Sequence, residues 1–138
     1  IPTSIKTTAD MQSKRGSLSA FVCGLGMLFV SLVGFSFDSG RLIADYAHLA
    51  DIAGNAARVG AQEVTSIRSN AATVDIPLAH RSSISVLRSE GLHGRVEVQG
   101  GLVTVTVTKF IPFETLRFLG ISGKNVTLTR SAAIQVGP

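Results

Sequence analysis

Three regimes of hydrophobic patterning follow one another along the chain. From Gly16 to Phe37 no residue is charged, and most positions from Leu18 onward are strongly apolar. A membrane-spanning helix needs about 20 such residues, so the run predicts one span over 16–37 with little to spare. Beyond it the apolar positions recur by threes and fours. Leu42, Tyr46, Leu49, Ala53, Ala56, Gly60, Val64 and Ile67 share one helical stripe. Asp45, His48, Asp51, Asn55, Arg58 and Gln62 take the other side. The predicted helix runs from Leu18 to Ile67 with Gly40 as a candidate kink. Its stripe is made largely of alanine and glycine, flanked by Ala50, Gly54, Ala57 and Ala61. Small residues let another backbone come close, so this helix is built to lie against something.

Asp75-Ile76-Pro77 opens a second, shorter helix, since proline suits a first helical turn. It is expected to reach about Glu90 and stop at Gly91, with Leu78, Ile84 and Leu87 as its apolar face. From Arg95 the period drops to two. Val96 and Val98 alternate with Glu97 and Gln99, Gly100-Gly101 forms a turn, and Val103, Val105 and Val107 alternate with Thr104, Thr106 and Thr108. This is a hairpin signature. A third strand is expected over 126–136, with Leu128, Ala132, Ile134 and Val136 on one face and Thr127, Thr129 and Gln135 on the other. A sheet with one apolar and one polar face is covered on one side, and the long helix is its natural cover. The fold class is therefore α+β. A long N-terminal transmembrane helix continues outside the membrane, followed by a second short helix and a three-stranded antiparallel sheet.

The expected organisation is an N-terminal segment over 1–15, polar and poorly ordered without a partner, then the span over 16–37. A helical extension over 38–70 and a small α+β domain over 71–138 follow. The part beyond Phe37 is roughly 100 residues, near the lower end of what folds unaided. Lys14 and Arg15 flank the start of the span, whereas Asp38, Arg41 and Asp45 open the far side without a positive excess. Positive flanks favour the cytoplasm, which places the N-terminus inside and the C-terminal domain outside, at the cell membrane. A cleavable signal peptide with Gly34 and Ser36 before its cut is the competing reading. The run is long for a signal core, so the segment is expected to be retained. The chain opens on Ile1 and not Met, and an earlier piece is expected.

The net charge of +4 does not make a nucleic-acid binder. The arginines are scattered singly, tryptophan is absent and Tyr46 is the one tyrosine, so neither a basic face nor a stacking platform is evident. Cys23 is the single cysteine, which excludes an internal disulfide and a cysteine-rich zinc site. With Phe21 and Val22 before it, Cys23 lacks a lipoprotein context and reads as a small packed hydrophobe. Asp45, His48 and Asp51 align on a helix side but fall short of a ligand set. Asn125-Val126-Thr127 fits a glycosylation acceptor and is better explained as strand sequence. No nucleophile-elbow, Walker-type or dinucleotide signature appears. The sequence predicts no enzyme, no cofactor, no metal and no small-molecule substrate. Between the second and third strands, Phe113, Leu116, Phe118, Leu119 and Ile121 surround Glu114 and Arg117. They read as an amphipathic turn closing the open end of the core. The functional alternative is a partner or membrane-interface surface, with Phe113, Leu116, Phe118 and Leu119 as candidates.

Lys14-Arg15-Gly16-Ser17, the apolar run, Asp38-Ser39-Gly40-Arg41-Leu42 and the stretch from Ala53 to Gln62 together resemble the TadE/TadG-like proteins of bacterial Flp (Tad) pilus-assembly systems. The likeness is greatest to short actinobacterial members. The valine–threonine hairpin and threonine-rich third strand are similar to theirs as well. The resemblance implies a membrane-held minor pilin or pseudopilin of a cell-surface filament or related secretion system. Its partners would be other pilin-like or membrane assembly proteins, copies of itself among them, and the lipid bilayer. It also implies a candidate processing site between Gly16 and Ser17. Processed members carry a glutamate at the fifth position after the cut, where this chain has Phe21. The expectation is thus a chain that is not cut and assists assembly from the membrane.

Overall fold

A computed structural model describes residues 6–63 and 74–134, with side chains from Gly16 onward. The first element, α1, is a single helix over Lys6–Ala61, 56 residues long and about 84 Å at 1.5 Å per residue. It starts earlier than the polarity of residues 1–15 suggested. Once the apolar helix is nucleated, each further residue adds a hydrogen bond at little cost, and Lys6–Arg15 contains no proline or glycine to stop it. The helix passes through Gly40 without interruption. It ends before the predicted Ile67, where the backbone tightens: Gln62 N–H donates to the Arg58 and Val59 carbonyls at 3.1 and 3.3 Å, and Glu63 N–H to Gly60 at 3.2 Å. Val64 and Ile67 of the predicted stripe lie outside the described residues, as do Gln135 and Val136 of the third strand.

The second helix, α2, covers Ile76–Ser89. Asp75 caps it by accepting from Leu78 N–H at 3.1 Å, with proline in the first turn. The sheet follows as β1 (Gly94–Gln99), β2 (Leu102–Pro112) and β3 (Gly123–Ala133), antiparallel, with β2 in the centre. Gly100 and Gly101 both have positive φ, 57° and 84°, the turn geometry whose twist suits a two-residue hairpin. A 3₁₀ turn over Leu116–Leu119 joins β2 to β3.

Val96, Val103, Val105, Val107, Ile111, Val126 and Leu128 form the buried face of the sheet. The opposite face carries a hydroxyl ladder: Thr104–Ser131 at 2.9 Å, Thr106–Thr129 at 3.0 Å and Thr108–Thr127 at 2.9 Å. Across the apolar face lies the C-terminal half of α1, through Leu49, Ile52, Ala53, Ala56, Ala57 and Ala61. Gly60 is a tight point of this packing. A Cβ there would meet the Ser83 hydroxyl and come within 3.1 Å of the Ala79 carbonyl and of Val103. The neighbouring Ser83 hydroxyl donates to the Ala56 carbonyl at 2.9 Å. The small-residue stripe thus packs against α2 and the sheet of the same chain.

Candidate functional site

The features that distinguish this domain cluster where α1 leaves its apolar run. Below that point the helix stands bare except at Gly34. Leu18, Phe21, Val22, Leu25, Met27, Leu28, Phe29, Val30, Leu32, Val33, Phe35 and Phe37 are all exposed in the isolated chain. The helix is long and apolar enough to cross a membrane. Residues 16–37 cover about 33 Å along the axis, against a hydrocarbon core of about 30 Å.

At the end of the run sits Asp38, only 1 % exposed. Its carboxylate accepts from three successive backbone N–H groups: Glu114 at 3.0 Å, Thr115 at 3.3 and 3.0 Å, and Leu116 at 2.7 Å. These donors lead into the 3₁₀ turn, Leu116 being its first residue, and the turn has no local side-chain cap. A carboxylate from another element fills the role that an N-cap side chain would. One turn towards the N-terminus, Gly34 is buried against the Thr115 side chain, leaving no room for a Cβ. One turn onward, Arg41 pairs with Glu114 at 3.2 Å. Gly34, Asp38 and Arg41 are spaced four and three residues apart, so one helix face receives the whole loop.

Burial alone would raise the Asp38 pKa. The hydrogen bonds from Leu116, Glu114 and Thr115, and then the Arg41 charge, outweigh it and hold the pKa below its ordinary value. The Arg41–Glu114 pair is half-open to solvent and contributes about 0–1 kcal/mol at most.

The loop divides its apolar residues. Phe113 and Leu116 are half-buried, whereas Phe118, Leu119 and Ile121 are 90 %, 65 % and 49 % exposed. Helix and sheet match in length here. From Asp38 to Ala61, α1 covers about 35 Å, and β2 from Leu102 to Pro112 covers about 33 Å. The β2–β3 end of the sheet therefore meets the exit of the apolar run.

Of the predicted helix-packing residues, Leu49, Ala53, Ala56 and Gly60 are buried and Leu42 is half-buried. Tyr46 departs from the expectation and is 45 % exposed. It has the right angle on the helix, but the α2 contacts on this flank lie at Ala56 and Gly60, more than two turns farther on. Ile52, not assigned to the stripe, is buried. Lys14 and Arg15 lie on the helix with side chains outside the described residues, and Gly16 and Ser17 are helical with Gly16 facing open space.

Asp45 is half-buried, and His48 and Asp51 are exposed. Among the described residues no group of three or more His, Cys, Asp or Glu side chains is placed to hold a metal ion. A hollow of about 760 Å³ lies at the opposite end, lined by Arg58, Ala61, Gln62 and residues 131–134 of the third strand and its end. Its lining holds one cation, an amide and a hydroxyl, with no acid–base pair. No protein-family model, curated protein or solved structure matches this chain.

Proposed function

We propose that the chain is a membrane-anchored, pilin-like subunit or assembly factor of a Tad/Flp-type pilus or related secretion system, acting by helix packing and not by catalysis. One observation carries the reading: a single helix is apolar and largely bare from Gly16 to Phe37 and bedded on its own antiparallel sheet from Leu49 to Ala61. The bare half then meets lipid or the equivalent helices of other membrane assembly proteins. The N-terminus is cytoplasmic, from the Lys14-Arg15 flank, and the sheet domain extracytoplasmic.

A second reading is favoured by Phe21. The run from Gly16 to Phe37 holds no carboxylate to pair with a neighbouring subunit, and a carboxylate inside lipid would be costly unless used in that way. The chain would then be a non-polymerising single-pass anchor that recruits a partner to a membrane complex. Intact-mass measurement of the protein from its native host separates the two. A mature N-terminus at Ser17 selects the polymerising subunit; one upstream of Lys14 selects the permanent anchor. Cysteine crosslinking along the bare face tests the shared premise. Failure of Leu25→Cys and Leu32→Cys (in Cys23→Ser protein) to crosslink to any membrane protein in the host would remove the packing role.

A further inference from the structure

We infer that the tip of the 113–122 loop inserts into the headgroup–acyl boundary of the leaflet from which α1 emerges, a second membrane contact beside the helix. The inference rests on the anchored reading above. Three independent features point to lipid as the occupant.

The first is level. Thr115 touches Gly34, which lies four residues inside Asp38 and about 6 Å lower along the helix axis. The loop is therefore fastened alongside the last turn of the apolar run, where the boundary of the bilayer must fall. Its Phe118, Leu119 and Ile121 are exposed, as are Phe35 and Phe37 of the helix.

The second is the backbone. A segment entering an apolar medium must satisfy its own polar groups, and most N–H groups of this loop are hydrogen-bonded within the chain. Asp38 accepts from Glu114, Thr115 and Leu116. Phe113 N–H donates to Ser122 at 3.0 Å, Phe118 to Thr115 at 3.2 Å, Gly120 to Arg117 at 3.1 Å and Ile121 to Leu116 at 3.1 Å.

The third is charge. Arg117 within the turn and Lys109 and Lys124 at the adjoining strand ends are exposed, while the nearby acids are engaged, Asp38 by the loop and Glu114 by Arg41. Exposed apolar side chains on a loop whose turn and flanking strands carry exposed cations suit an interface carrying lipid phosphates.

The test uses the full chain with Cys23→Ser, reconstituted in phosphatidylcholine–phosphatidylglycerol vesicles. One nitroxide label is placed at a time through Leu25→Cys, Phe118→Cys or Ser85→Cys, and collision with lipid-soluble oxygen is compared with collision with a water-soluble nickel chelate. All three positions are exposed in the isolated domain, so the labels leave the core intact. The Leu25 label should favour oxygen, the Ser85 label the chelate, and the Phe118 label oxygen by several-fold. A Phe118 label as open to the chelate as the Ser85 label, with Leu25 still in lipid, overturns the insertion and leaves the anchor standing. A Leu25 label open to the chelate overturns the anchor and the insertion with it. A Phe118 label closed to both reagents means that protein covers the loop, and that also overturns lipid contact.

Discussion

Asp38 and Gly60 show how differently single residues disclose their roles. Asp38 holds a loop 76 to 78 residues away, and no periodicity links a carboxylate after an apolar run to uncapped N–H groups so distant in the chain. The hint in the sequence was its spacing from Gly34 and Arg41, which puts all three on one helix face. Replacing Asp38 with Asn removes the charge and one acceptor oxygen, so amide hydrogen exchange at 114–116 should accelerate while exchange in the core strands stays unchanged. Because its pKa is lowered in the folded state, the wild-type contribution is complete above the unfolded carboxyl pKa of about 4. It is lost as pH falls through the still lower folded value. Wild-type exchange at 114–116 should therefore rise only at strongly acidic pH, and D38N should lack that transition. Gly60 was legible from its small neighbours, since close approach needs small residues on consecutive turns. Gly60→Ala should destabilise by about 1–3 kcal/mol through overpacking, offset in part by up to about 1 kcal/mol of better helix propensity. Ser83→Ala alone should cost about 1 kcal/mol for its hydrogen bond. The double variant should be more stable than the sum of the two costs, because removing the hydroxyl makes room for the new methyl. Thermal unfolding in detergent measures all three.

The elements were legible where local pattern and tertiary pairing agree. The Gly-Gly hairpin, the proline-started second helix and the three strands follow from period and turn chemistry alone. Their ends do not. The alternation in β2 breaks at Lys109-Phe110, yet pairing continues to Pro112 opposite Gly123, because the neighbouring strand supplies backbone partners whatever the side chains are. Gly123, Lys124 and Asn125 are drawn into β3 in the same way, so it starts three residues before expected. The two sheet faces should respond unequally. Val105 is fully buried, and Val105→Ala should cost about 2 kcal/mol for lost methyls and the cavity left behind. Thr106→Ala breaks one cross-strand pair on the hydroxyl face and should cost about 0.2–1 kcal/mol. Denaturant titration in micelles that gave equal costs would contradict a core confined to the helix side.

For the whole molecule, the orientation read from Lys14 and Arg15 is open to a direct check. A reporter active only in the cytoplasm should be silent when fused after the C-terminus and active when fused before residue 1; the reverse would invert the topology. What surrounds the bare helix was never legible from the chain, because lipid and a neighbouring helix both select the same apolar residues. The loop tip carries the same ambiguity at smaller size, and its level beside Gly34 is one of the grounds on which we assign it to lipid. That level has a mechanical consequence. The loop grips α1 on both sides of Asp38, at Gly34 and at Arg41, and the helix runs unbroken through the exit. The apolar run and the domain therefore share one rigid axis. A helix longer than the local hydrocarbon is thick responds by tilting, typically by about 20°. Ala61 lies about 35 Å beyond Asp38, so such a tilt would swing it sideways by about 12 Å. In the anchored protein proposed above, the helix is a lever arm, and the thickness of the bilayer sets where the far end of the domain stands.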